Sequence, residues 1–156
     1  MAGAGDRKLV LFSHHQPFSL LDVNQGPMLV KWLQPLLDAQ KIFAWYWGHE
    51  HRSVLYDPHP GYGLRGRCVG HGGFPEARAD LSAATPSDDL GSQWKKLAAG
   101  QNSPGALVLD TPNLYIPGFE QQFTPHGYMR LDFNDGRLSE SVHAPGGDTI
   151  YSRDLV

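Results

Sequence analysis

Two apolar runs of strand length, residues 8–13 (KLVLFS) and 41–47 (KIFAWYW), flank a segment of helical period, and each run ends in histidine. This pattern constrains the fold more than any other feature of the chain. Continuous apolar strands are those covered on both faces. Between them, within residues 26–40, Met28, Leu29, Trp32, Leu33, Leu36 and Leu37 recur on one helical face, a stripe expected to pack on a sheet. Pro27 suits a first helical position. Pro35 does not suit an interior, so a kink or two shorter helices are expected. Two strands joined by a helix make a βαβ unit, whose ligands gather at the carboxyl ends of its strands.

The rest of the chain reads as short strands and turns, in keeping with 18 glycines and 12 prolines among 156 residues. Residues 53–56 and 64–69 are expected to pair as a hairpin across a Pro/Gly-rich turn, with Gly70-His71-Gly72-Gly73 closing the second strand. Residues 75–105 show no sustained period and read as a long excursion with a short helix near 92–99. Strands return at 106–109, 127–133, 137–143 and 149–153. Asn134-Asp135-Gly136 marks a tight hairpin turn, and 127–154 reads as an antiparallel meander at the sheet edge. The fold class is α/β, a mixed sheet with one or two helices and a C-terminal meander, in a single domain over 1–156.

Several function classes are set aside by composition. A net charge of −3 gives no basic surface for a nucleic-acid scaffold. The apolar run 42–47 is far short of the ~20 residues needed to cross a bilayer. MAGAGDRKLV lacks the basic-then-apolar layout of a secretory signal, and a cytoplasmic location is expected. A lone cysteine, Cys68, excludes an intrachain disulfide and a cysteine-built zinc site. Phosphate-loop, nucleophile-elbow and HExxH patterns are absent. Eight histidines are left to carry chemistry.

On an extended chain His49 and His51, two apart, face the same side, and Gly48 permits a sharp turn before them. Neutral imidazole is a common ligand of Zn, Fe and Mn. His14 and His15 are adjacent, so on a strand only one of them addresses a given pocket. His71 lies among glycines that allow close approach. His59 reads as part of an exposed turn, His126 and His143 as surface residues, and Trp45 and Trp47 as core.

LVLFSHHQPFS, a helix, WYWGHEHR and then VGHGG together resemble the C-terminal half of the calcineurin-like metallophosphoesterases. By that resemblance His14 matches the family's lone histidine, and Gly48, His49 and His51 match its Gly-His-x-His motif. The family's N-terminal Asp-x-His, Gly-Asp and Gly-Asn-His-Asp/Glu motifs have no counterpart here. The resemblance therefore implies the β-rich half of a two-sheet sandwich. It also implies a divalent transition metal (Zn, Mn or Fe), one or two per chain, held by His14, His49 and His51. Asp57, His71, Glu50 and Asp22 are internal candidates for the missing ligands, and a second subunit is another source. A sheet deprived of its stacking partner implies a homodimer through the bare face.

The activity expected is phosphoester hydrolysis by metal-activated water, on small-molecule phosphodiesters or activated phosphotriesters, with His15 stabilising phosphoryl oxygens or protonating the leaving group. It should fall in mild acid, because protons compete with metal for imidazole. The alternative is a catalytically silent metal-binding remnant serving as a structural or interaction module. A third reading, a β-rich binding domain with incidental histidines, implies no metal.

Overall fold

The computed structural model describes residues 4–22 and 27–156. The two apolar runs form β1 (Leu9–Ser13) and β2 (Ile42–Trp47), paired in parallel with Leu11 opposite Trp45 and Ser13 opposite Trp47. Between them runs α1 (Pro27–Asp38), a single helix with Pro35 inside it rather than two shorter ones. Gly26, where the segment of helical period begins, lies outside the described residues. The helix ends in a Schellman turn: Gln40 donates to the Leu37 carbonyl and Lys41 to that of Leu36, with Gln40 at a φ of 50°.

Next come β3 (Ser53–Pro58) and β4 (Arg65–Val69), antiparallel as expected. β4 also pairs in parallel with the far side of β2, Trp47 opposite Cys68. The excursion holds one 3₁₀ turn (Arg78–Leu81) and two further strands, β5 (Thr85–Pro86) and β6 (Trp94–Leu97). The helix expected near 92–99 is therefore a strand. Pairing with β7 (Ala106–Leu109) places Trp94 opposite Leu109 and buries the indole fully, and this non-local gain overrides local helical preference. The main sheet has the order β1-β2-β4-β3-β7-β6-β5.

The meander, β8 (Tyr128–Asn134), β9 (Arg137–His143) and β10 (Thr149–Asp154), is a separate three-stranded antiparallel sheet, not an extension of the main sheet's edge. Asp135 and Gly136, both at positive φ, make the two-residue turn between β8 and β9.

Past a register shift at its start, alternation along β2 divides the core. Trp45 and Trp47 join Leu37, Ile42 and Phe18 in one cluster, against which Leu29, Leu33 and Leu36 of α1 pack. Gly66 lets Trp47 and Phe18 approach the sheet, since a Cβ there would lie 2.7 Å from the Trp47 ring. Tyr46 points the other way and donates to Glu140 of the second sheet at 3.0 Å. Arg67 meets the same carboxylate, with Nη2 2.8 Å from Oε1, and its Nη1 donates to the Tyr56 and Gly66 carbonyls at 2.8 Å each. Burial and the Glu140 charge push the Tyr46 phenol well above its ordinary pKa, so it stays a donor. Leu55, Trp94, Leu109, Val142 and Tyr151 fill the second cluster. The chain's own meander thus covers the sheet face expected to be bare, and the homodimer loses the apolar surface on which that expectation rested. No described helix is long and apolar enough to cross a membrane.

Candidate metal centre

The carboxyl ends of β1 and β2 are clipped together through the backbone. The His14 carbonyl accepts from the N–H groups of Gly48 and His49, at 3.2 and 3.0 Å. Below this clip, Trp45 Nε1 donates to Ser13 Oγ, and Ser13 Oγ donates to the His15 carbonyl, both at 2.7 Å. The strand ends at Ser13 and the chain bends, so His14 and His15 no longer alternate across a sheet. Both rings turn to the same place. Their centroids lie 4.8 Å apart, and the His49 centroid is 5.1 Å from that of His14 and 4.7 Å from that of His15.

Among the described residues, His14, His15 and His49 each offer a ring nitrogen, all within 4.8 Å of one another. His14 Nε2 and His49 Nδ1 are 3.2 Å apart. Two nitrogens bound to one ion at about 2.0–2.1 Å sit roughly 2.8–3.4 Å apart in octahedral or tetrahedral geometry, so this spacing, which also suits a hydrogen bond between the rings, fits a shared cation. Behind His49, Nε2 lies 3.2 Å from Asp22 Oδ2. A carboxylate there holds the proton on Nε2 and leaves the Nδ1 lone pair for the ion. The fully buried Gln16 donates to the same Asp22 oxygen at 3.3 Å, fixing the carboxylate in turn. The three imidazoles, with Asp22 orienting one of them, suit a borderline metal such as Zn, Fe or Mn.

The other expected ligands lie outside this group. His51 has a φ of 51°, so the chain after Gly48 is a turn and the two-residue alternation fails. Its Nδ1 is 3.8 Å from Glu76 Oε1 and its ring lies against Phe74. His71 is buried, with Gly127 packed against it so closely that a Cβ would come within 2.9 Å of Nε2. Burial lowers its pKa to about 4; the nearby His126 adds to that shift, and the Val69 carbonyl opposes it. Asp57 sits in β3 beside Gly105. Glu50 is buried with Oε2 3.5 Å from the Trp47 indole nitrogen; burial raises its pKa, and Asp22 adds to the effect. Burial likewise pushes the Cys68 thiol up to about 12, which removes it as a thiolate ligand or nucleophile.

Gly70 lets the loop after β4 approach the site, since a Cβ there would collide with the Gly48 carbonyl. Of the remaining histidines, His59 stacks on Tyr62 and accepts from the Gly61 N–H, a structural turn. His143 is buried rather than at the surface, with Nε2 bonded to Ser141.

One wall of the site comes from residues that the sequence assigned to the core. Met28 and Trp32 are 56% and 73% exposed, and with Leu29 and Pro27 they border a groove whose other side is Ser13, His14 and His15. The periodic stripe on α1 is thus wider than the strip that the sheet covers. Compared with known proteins, the chain matches no family and no curated relative.

Proposed function

We propose that the chain is a metal-dependent phosphoester hydrolase acting on phosphodiesters or activated phosphotriesters. The observation that carries the reading is the convergence of His14 and His49 nitrogens at 3.2 Å, with Asp22 behind His49. In this reading His14 and His49 hold a divalent transition ion. When bound, such an ion acidifies water toward neutrality and neutralises charge on phosphoryl oxygens. Asp22 keeps His49 in the ligating tautomer, and Gln16 keeps Asp22 in place.

His15 is an exposed member of the group, and in this reading it serves the reacting ester. In the hydrolysis water adds to phosphorus and gives up a proton to solvent, from which His15 is reprotonated after each turnover. The ester P–O bond breaks with its electron pair on the leaving oxygen, and His15 delivers a proton to that oxygen. Asp22 is a carboxylate held against the His49 ring, while Glu50 is buried and Asp57 lies in β3. That scarcity of charge favours one ion over two. It also supports a second reading, a metal-binding module without turnover.

Elemental analysis of the purified chain, with hydrolysis of bis(4-nitrophenyl) phosphate before chelation, after chelation and after metal add-back, separates the readings. Retained metal with turnover restored by add-back is expected. Metal without turnover leaves the silent module, and absence of metal removes both.

A further inference from the structure

We propose that the groove between α1 and the histidines is a subsite for an uncharged aromatic group of the substrate ester. The inference rests on the hydrolase reading and adds a substrate class to it. The cavity, about 350 Å³, is bordered by Ser13, His14, His15, Met28, Leu29 and Trp32, with Pro27 at its end. It lies at the small end of the ~300–1,000 Å³ range of small-molecule sites, room for a ring and its linkage but not for a polymer. Two of the three candidate metal-site histidines line it, so a phosphoryl group at the rings places its ester substituent against the helix. No Asp, Glu, Lys or Arg borders it, which selects a neutral substituent.

The helix itself shows that this face is not spare core. Leu33 and Leu36 pack on the sheet cluster and Leu37 is buried in it, whereas Met28 and Trp32, one turn apart, are left exposed. A flat indole beside a flexible thioether is a surface on which an aromatic ring stacks and gains more than an alkyl group does.

The chain carries a built-in reporter. Of its four tryptophans, Trp45, Trp47 and Trp94 are buried and Trp32 is exposed. Acrylamide quenching of tryptophan emission in the metal-loaded protein therefore reads Trp32. Diphenyl phosphate is expected to protect Trp32, and dimethyl phosphate at equal concentration is not. By calorimetry, Trp32→Ala should weaken diphenyl phosphate binding about tenfold, and Trp32→Phe should restore most of it. Metal content should stay at the wild-type level in both variants. Equal binding of the two phosphates, or unchanged affinity in Trp32→Ala, overturns the subsite even if the protein hydrolyses diesters. Trp32 protection that depends on protein concentration without ligand also overturns it, assigning the groove to a second copy of the chain. If diphenyl phosphate protects Trp32 but no diester is cleaved, the subsite stands as an aromatic-anion site and the hydrolase reading falls.

Discussion

Asp22 Oδ2 stands 3.2 Å from His49 Nε2, on the side of the ring away from His14. The carboxylate acts through the imidazole, so its loss should be felt as metal affinity rather than as misfolding. Asp22→Asn is expected to weaken metal binding about 10–100-fold, measured by competition with a chromophoric chelator. Thermal stability of the metal-free protein should stay close to wild type. Unchanged affinity would show that the carboxylate does not orient the ring.

The turn at His51 gives a sharp test of the ligand set. Because His51 pairs with Glu76 and lies against Phe74, His51→Ala should retain the metal content of the wild type. His49→Ala should lose it. Elemental analysis of the two variants in parallel checks both statements, and equal loss in both would return His51 to the site.

His71 links stability to pH. Burial holds its pKa near 4 in the folded chain, against about 6.5 when unfolded. The folded state therefore disfavours the added proton. The stabilisation is complete above pH ~6.5 and fades as pH falls toward ~4, by roughly 3 kcal/mol in all. Urea midpoints at pH 7 and pH 4.5 should differ less for His71→Gln than for the parent, and identical pH dependence would show that this ring is not responsible.

The second sheet is fastened by a buried charge. Glu140 is inaccessible to solvent and takes hydrogen bonds from Arg67 and Tyr46, so Glu140→Ala leaves a guanidinium buried without its carboxylate. A loss of about 3–5 kcal/mol is expected in chemical denaturation. Replacing Arg67 and Glu140 together with apolar residues should cost less than the single change, because no unpaired charge remains.

The parts of this structure that are local in sequence were legible in it. Residues 9–13 and 42–47 had to be strands, and the histidines just beyond them had to share an end of the sheet; only 42–47 is covered on both faces, because 9–13 is the sheet's edge strand and leaves Phe12 exposed. What failed was the extension of strand alternation past the strand ends. A bend after Ser13 brings His15 in beside His14, and the turn at His51 takes that ring away. The docking of the meander was illegible for a different reason. It depends on Arg67 meeting Glu140, 73 positions away, and no periodicity encodes such a pairing. Trp32 was misassigned because a helical stripe records which residues are apolar, not how much of it a partner covers.

The most direct test of the central claim is metal titration of chelated protein, following bis(4-nitrophenyl) phosphate hydrolysis as each increment is added. Turnover should rise and saturate near one equivalent per chain, and stay at background throughout in His49→Ala. Full turnover in the stripped protein, or a wild-type response in His49→Ala, would contradict it.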